Sequence, residues 1–577
     1  MLRFPNKGLV LNETNRTKRW DIYPRIDLVT SAVLEPYPAF MRQILFNRGI
    51  RTLEEADRFL SADTDSGDPF LLLDMEKAVD RLLTAVKSNE PIIVYGDYDV
   101  DGVTATVMMV EVLRELGGNV TRYIPNRFEE GYGLNTDAIQ VLADSGAKVI
   151  LTVDCGIRSP VEADLAKSLG IDLIISDHHH PADVVPAAFA VICPKQDDDA
   201  YPYKDLAGVG VAFKIVQGLF LRSSLDVRKA DEWLDLVALG TVADIVPLTA
   251  ENRVMVKKGL QRIRLGRRVG LNALVGVAGK DIHRISASDI GYIIGPRLNA
   301  AGRMESALEA YNLLINTSIE EAVRFAQVLE DRNTERQKTT RAAQEEVQKR
   351  LGDVSDLFVI IDHDPGFSSG IVGLVASKLV DSYYRPAIIG QDEGEMIRAS
   401  CRSIPELHIT EALDECAELM VRHGGHAMAA GFTIEQKNFD TLKMRLQEIA
   451  RVKLDNVDLR PVIRADLEMD IKGFNPAHFA MLEQLQPTGM GNPAPVFVSR
   501  KVDVEGMRLM GKEEDHISFF IRGSKINRAV AFNQAQWYET WKEEKPQFDI
   551  AYTIDVNHYN GLESLQLRVL DMKISGI

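Results

Sequence analysis

The stretch from Ile92 to Thr104 (IIVYGDYDVDGVT) constrains this chain more than any other. Ile92, Ile93, Val94 and Tyr95 make an apolar run of strand length, which Gly96 ends. Asp97, Asp99 and Asp101 follow at alternate positions, then Gly102 and an apolar-periodic segment over 104–116 that predicts a helix. In an open α/β sheet, ligands bind at the carboxyl ends of the strands. Three carboxylates this close repel one another, and ionising all of them is costly unless a cation lies among them. Hard divalent ions take oxygen ligands of this kind. Alone, the stretch would also suit a solvated acidic turn.

Three further segments argue against that plain reading. Residues 150–156 (ILTVDCG) are again an apolar strand ending in an acid, Asp154, and a glycine. Residues 173–180 (LIISDHHH) end in Asp177 followed by His178, His179 and His180. Residues 239–247 (LGTVADIVP) place Asp244 in an apolar setting. Strands expected at 92–95, 120–124, 149–153, 172–176 and 190–193 alternate with helices at 104–116, 135–145 and 160–169. That alternation is the signature of βαβ units and a doubly wound, mainly parallel sheet. Parallel strands share one carboxyl edge, so Asp97, Asp99, Asp154 and His178 are expected to converge. Mixed carboxylate and imidazole donors suit Mn²⁺ or Mg²⁺ better than structural zinc. Two ions ~3.5–4 Å apart need a bridging carboxylate, for which Asp154 is the candidate.

A length of 577 residues exceeds what one core supports. The four cysteines are widely spaced without a CxxC pair, which points to a reducing compartment and away from a zinc ribbon or disulfide framework. No apolar run reaches eighteen residues, and residues 1–20 lack the apolar core of a secretion signal, so a cytoplasmic, non-membrane protein is expected. A net charge of −17 disfavours a polyanion partner. Yet residues 253–303 carry eleven Lys or Arg against two acids, Asp281 and Asp289, which reads either as a nucleic-acid channel or as a solvated basic face.

Residues 1–45 read as an irregular arm, and 41–60 and 71–86 show helical spacing. Residues 318–351 are nearly continuous helix former, a polar rod of roughly 50 Å expected to bridge two domains. A second α/β region follows, with strands at 357–361 and 387–389 and helices at 369–379 and 410–420. Beyond 452, short strand-like runs suggest a small β-barrel of OB type. Its Phe497, Phe519, Phe520 and Phe532 are either barrel core or platforms for base stacking.

Taken in order, GDYDVDG (96–102), VDCG (153–156), SDHH (176–179) and VAD (242–244) resemble the DHH phosphoesterase superfamily. GPRLNAAGRM (295–304), GGH (424–426) with AAGF (429–432), and LQPTGMGNP (485–493) extend the resemblance to the RecJ family of single-stranded-DNA exonucleases, over about residues 50 to 577. The resemblance implies an α/β chain: an N-terminal arm (1–45), a DHH catalytic domain with a mainly parallel sheet (46–317), a long connecting helix (318–352), a DHHA1 α/β domain (353–455) and an OB-fold-like β-barrel (456–577). It implies Asp97, Asp99, Asp154, His178 and Asp244 as ligands of Mn²⁺ or Mg²⁺, two ions in all, with Asp101 either a further ligand or a hydrogen-bonding support. It places His179 at the substrate phosphate, and Arg297, Asn299, Arg303, Ser400, Arg402, Ser403 and His426 along the DNA. Phe367 and Ser368 stand where the family usually has Trp and His, and Thr488 where it has Phe. The implied activity is 5′-to-3′ hydrolysis of single-stranded DNA to nucleoside monophosphates in recombination and repair, with a RecQ-type helicase and single-strand-binding protein as partners. Two rivals remain. A DHH phosphodiesterase of oligoribonucleotides or cyclic dinucleotides is usually shorter and lacks the C-terminal β domain. An inactive DNA-binding scaffold predicts eroded carboxylates, whereas Asp97, Asp99, Asp154 and Asp244 are intact.

Overall fold

The computed structural model describes residues 18–62, 67–127, 130–131, 133–304, 306–352, 354, 356–559 and 562–576. Two compact units divide the chain: 54–336 with 484–494, and the remainder.

The first unit is built on β1 (Ile92–Gly96), β2 (Val120–Tyr123), β3 (Val149–Val153), β4 (Asp172–Ser176) and β5 (Ala190–Ile192). They form a wholly parallel sheet in the order β2-β1-β3-β4-β5. Both faces of the central strands are covered, which is why β1 and β3 are fully buried and β3 and β4 read as nearly unbroken apolar runs. Val94, Leu151 and Ile174 pack on one side; Ile93, Tyr95, Ile150 and Ile175 pack on the other. From β1 the chain steps out to β2, then returns to the far side of β1 for β3. The reversal opens a crevice at the carboxyl ends of β1 and β3, where doubly wound sheets bind ligands.

Helix α1 (Val100–Glu115) follows β1 and is buried along most of its length, including Val103, Val107, Val110 and Val112. β-Branched residues disfavour an isolated helix, so burial rather than propensity forms this one. Its two buried threonines are satisfied internally, Thr104 Oγ1 donating to Val100 O (2.8 Å) and Thr106 Oγ1 to Gly102 O (2.7 Å). α2 (Gly208–Arg222) and α3 (Leu234–Ala243) pack beside it in the same core. α4 (Gly295–Met304) precedes the long helix α5 (Ile319–Leu351), which runs from the first unit into the second.

In the second unit, β6 (Ile360–Asp364), α6 (Val372–Tyr383), β7 (Ala387–Asp392), β8 (Met396–Arg402), β9 (Met420–His426), β10 (Ala429–Glu435) and α7 (Gln436–Leu454) form an α/β layer. Its sheet order is β9-β10-β8-β7-β6, parallel only between β6 and β7. The helix expected over 410–420 is confined to Ile409–Asp414, and Met420 begins β9 instead. The C-terminal region contributes β11 (Leu467–Glu468), β12 (Phe497–Val502), β13 (Val504–Met510), β14 (His516–Ile521), β15 (Arg528–Ala531), β16 (Phe548–Tyr559) and β17 (Leu562–Ile574), in the sheet order β11-β12-β16-β17-β15-β14-β13. Phe497 and Phe519 are core residues here, while Phe520 and Phe532 are exposed.

Two local expectations are corrected. The helix read over 41–60 is two helices, Ala39–Asn47 and Leu53–Ser61, because Gly49 turns the chain at φ +83°. The described part of the expected irregular arm is ordered: Arg19–Ile22 pairs in parallel with Val462–Ala465, and Trp20 Nε1 donates to buried Asp571 (2.7 Å). Residues 1–17 of that arm lie outside the described residues.

Many charges of the basic segment have partners within the chain, although only Arg253 is buried. Arg253, 2% exposed, donates to the carbonyls of Leu485 (2.7 Å), Pro487 (3.0 Å) and Gln484 (3.0 Å). Arg268 pairs with Glu111 and Asp235, Lys280 with Asp289, Arg284 with Asp281 and Arg297 with Glu330. Lys257 and Arg264 donate to backbone carbonyls. Arg253→Ala is expected to cost at least about 3 kcal/mol, since charge-assisted bonds are lost and buried carbonyls stranded. Chemical denaturation measures that loss, and proteolysis should then cut within 484–494.

Candidate metal centre

Asp97 is the first residue after β1, Asp154 the first after β3, and Asp177, His178 and His179 follow β4. Three adjacent strands thus deliver their acids and imidazoles to one carboxyl edge. Asp244 arrives at the C-terminal end of α3. His178 Nε2 lies 3.2 Å from Asp154 Oδ1, 3.5 Å from Asp244 Oδ2 and 4.0 Å from Asp101 Oδ2, and hydrogen-bonds to none of them. Ligand atoms fall in three sets with mutual distances within 4.8 Å: Asp97, Asp99 and Asp154; Asp101, His178 and Asp244; Asp154, His178 and His179. Asp154 and His178 each belong to two sets.

Local chemistry holds these groups in place. Asp154 occupies the left-handed region at φ +65°, uncommon for a residue with a side chain, though Asp tolerates it better than most. Its N–H donates to Ser176 O (3.0 Å), while Thr152 Oγ1 accepts from Ser176 N (3.1 Å) and donates to Cys155 O (2.7 Å), fixing the turn. Asp99 Oδ1 caps α1, accepting from Asp101 N (2.9 Å) and Gly102 N (3.1 Å). Both oxygens of Asp101 are engaged at the N-terminus of α2, by Gly208 N (2.6 Å) and Val209 N (2.8 Å).

Asp177 has a role the sequence did not single out. Oδ2 accepts from Ile157 N (2.9 Å), while Oδ1 accepts from His178 N (2.7 Å) and holds His179 Nδ1 at 2.7 Å. A carboxylate on Nδ1 fixes the orientation of the ring and favours the Nδ1–H form. Gly208 was missed too: a Cβ there would lie 2.5 Å from Asp154 Oδ1. No spacing rule would have found it, because it approaches the acid from a distant helix. The joint motif contributes as well. Leu248 N, four residues past Asp244, donates to Met490 O (2.7 Å), and Asn492 Nδ2 bridges the carbonyls of Leu485 (2.9 Å) and Pro487 (2.8 Å).

Burial dominates the electrostatics. Desolvation, with Asp99 nearby, raises Asp97 well above the usual carboxylate range and lifts Asp101 to about 7. Desolvation with Asp101 and Asp99 nearby raises Asp154 well above that range and brings Asp244 to about 9. Burial and the neighbouring His179 push His178 down to about 3, so its imidazole is neutral at pH 7. Burial would lower His179 as well, but its bond to Asp177 outweighs that and raises it. Clustered acids that resist ionisation, around a neutral imidazole with an unbonded Nε2, fit hard divalent cations.

The residues expected along the DNA fare differently. Asn299 Oδ1 accepts from Val100 N (3.1 Å), Arg297 is paired with Glu330, and buried Ser403 donates to Leu407 O (2.7 Å). Each of these three has a partner within the chain. Ser400 and Arg402 share one face of β8, with Arg402 Nη1 3.2 Å from Ser400 Oγ. His426 is exposed at the end of β9. Phe367, at the position usually held by Trp, is 5% exposed and packs in the core.

A parallel sheet carrying this ligand set at its switch point defines a metal-dependent phosphoesterase of DHH type. Family profiles agree: the DHH family N-terminal domain matches residues 91–241, the DHHA1 domain 355–451 and the RecJ OB domain 465–571. The chain is 38% identical over 564 residues to the single-stranded-DNA-specific exonuclease RecJ of Bacillus subtilis (strain 168), covering 96% of this chain and 71% of that protein. It is 36% identical over 558 residues to RecJ of Escherichia coli (strain K12), covering 92% and 95%. Among solved structures, RecJ from Thermus thermophilus in complex with Mn²⁺ superposes with a TM-score of 0.83 at 28% identity, covering 97% of this chain and 80% of that one. The chain belongs to the RecJ family. Among the described residues, no helix is long and apolar enough to cross a membrane.

Gly208→Ala should abolish high-affinity Mn²⁺ binding by calorimetry while far-UV circular dichroism stays native, because the added methyl displaces Asp154. A pH dependence follows from the raised acids. The metal-stripped folded chain holds protons on Asp101 and Asp244 that the unfolded chain has released above about pH 4, so its stability falls as pH rises through about 7 to 9. Thermal melts from pH 6 to 9.5 should show that decline, and saturating Mn²⁺ should flatten it.

Proposed function

We propose that this chain is a metal-dependent exonuclease that hydrolyses single-stranded DNA from the 5′ end to nucleoside monophosphates. The observation that carries the reading is the convergence of Asp97, Asp99, Asp154, His178 and Asp244 on one sheet edge. These five residues would hold two Mn²⁺ or Mg²⁺ ions, Asp154 belonging to more than one candidate set. Such ions would supply a water of lowered pKa and charge neutralisation at the phosphodiester oxygens. Asp101 acts as a positioning residue through its bonds to Gly208 and Val209. His179, oriented by Asp177, turns Nε2 to a substrate phosphate.

In the second unit, His426, Ala429 and Arg402 share one rung of the sheet, and Gly424, Gly431 and Ser400 share the next rung on that face. Glycine and alanine make a flat floor, with hydroxyl, guanidinium and imidazole donors beside it. Such a floor suits a sugar–phosphate backbone without base readout. Arg303, in the first unit, is a separate candidate for a phosphate contact. The domain division at 46–317, 318–352, 353–455 and 456–577 is supported by the three family matches, each of which falls inside one of these ranges. In the cell we place the enzyme in the cytoplasm, in recombination and repair. There a RecQ-type helicase and single-strand-binding protein would supply the strands it degrades.

End-labelled single-stranded DNA, duplex DNA and RNA, each with Mn²⁺, Mg²⁺ or chelator, provide the test. Mononucleotides should appear only from single-stranded DNA with a divalent ion, and release from duplex or in chelator would contradict the reading. Asp154→Ala should lower turnover by about a thousandfold, the equivalent of several kcal/mol of transition-state stabilisation, while leaving the melting profile cooperative. Arg303→Ala should weaken single-strand binding and reduce its salt slope by about 0.7, and an unchanged slope would remove Arg303 from the DNA path.

A further inference from the structure

Helix α4 carries three residues whose partners all lie within the first unit, and together they connect the metal loop 97–102 to the long helix α5. We propose that α4 is a strut, with Asn299, Arg297 and Glu330 positioning the metal loop rather than contacting DNA; the inference rests on the metal-centre reading above.

Proline at position 296 is the origin of the local geometry. Its ring removes an N–H and clashes with the preceding turn, and the segment before it, Ile290–Ile294, is a π-helix. A widened turn leaves carbonyls out of helical register. Arg297 Nη1 takes one of them, Ile293 O, at 2.8 Å. The rest of the guanidinium forks onto the two carboxylate oxygens of Glu330, on α5. Side-chain exposures of 15% for Arg297 and 24% for Glu330 leave this pair largely shielded from solvent. A bidentate fork also fixes orientation as well as distance.

At 100° per residue, Asn299 lies about 200° around α4 from Arg297 and so faces away from α5. Its Oδ1 accepts from Val100 N, the first N–H of α1, which the helix itself cannot satisfy. Asp99 satisfies the next two, those of Asp101 and Gly102. Asn299 therefore leaves Asp99 free of a third donor that would draw its carboxylate from the metal set. Gly302, one turn on, completes the contact: a Cβ there would lie 2.8 Å from Tyr98 O, a backbone atom of the same loop. One face of α4 grips the loop at residues 98 and 100, and the opposite face is bolted to α5.

The test separates this role from a phosphate contact. Mn²⁺ calorimetry and single-stranded-DNA affinity in chelator are measured on the full chain for wild type, Asn299→Ala, Asn299→Asp and Glu330→Gln. Asn299→Ala and Glu330→Gln should each weaken Mn²⁺ binding by about tenfold or more, the usual effect of losing a group that orients a ligand. Single-strand affinity in chelator should stay within about twofold of wild type. Asn299→Asp, which keeps an acceptor for Val100 N–H, should restore Mn²⁺ affinity to within about threefold. Glu330→Gln keeps the size of the side chain and one acceptor oxygen, so it carries the test even if Asn299→Ala fails to fold. Unchanged Mn²⁺ isotherms in Asn299→Ala and Glu330→Gln would overturn the strut, as would lost DNA affinity in Asn299→Ala with metal binding intact. A wild-type chain that binds no Mn²⁺ would overturn the metal centre and the strut together.

Discussion

Desolvation of like charges is the constraint to which the first unit answers. Asp97, Asp101, Asp154 and Asp177 are each no more than 3% exposed. Carboxylates so close and so dry cannot all ionise without compensation. Asp177 is compensated within the chain, by backbone N–H groups and His179, whereas the two N–H bonds to Asp101 offset its burial only in part. Asp99 and Asp101 also lie at the N-termini of α1 and α2, where the helix dipole favours negative charge. Asp244 has the opposite placement, at the C-terminal end of α3, where the dipole disfavours an acid. That placement adds to the cost of ionising it without a cation nearby.

Rigidity around the centre comes from elements distant in sequence. Gly208 of α2 leaves no room beyond Asp154, α4 closes on Tyr98 and Val100, and segment 484–494 pins the turn after Asp244 through Leu248 and Arg253. The left-handed residues Asp154 and Ile245 lie at and beside proposed ligands. Ile245 is the more telling of the two, because a β-branched residue at φ +62° is strained and persists only where its surroundings dictate the turn.

Much of this was legible in the sequence, for a physical reason. Parallel strands buried on both faces must be continuous apolar runs, so β3 and β4 could be read to the residue, and the acids just beyond them stood out. The DHH-type order of those acids, followed by the later motifs, then indicated the domain sequence. Illegible were features settled by long-range pairing. Arg19–Ile22 finds its partner strand more than four hundred residues away. The basic run from 253 to 303 left a DNA channel and a solvated face both open, and seven of its eleven charges meet acids or carbonyls of this chain. Asn299 and Ser403 likewise bond backbone groups that the motifs alone do not indicate. Asp177 was visible as an acid before three histidines, and only coordinates show it orienting His179 rather than joining the ligand sets.

The central claim is that distant acids and one imidazole gather at a single sheet edge to share cations. Anomalous diffraction at the manganese edge, from crystals grown with Mn²⁺, tests it most directly. The account predicts two peaks flanking Asp154, one bounded by Asp97 and Asp99 and the other by His178 and Asp244. A single peak remote from Asp154, or ions bound only at surface carboxylates, would contradict it.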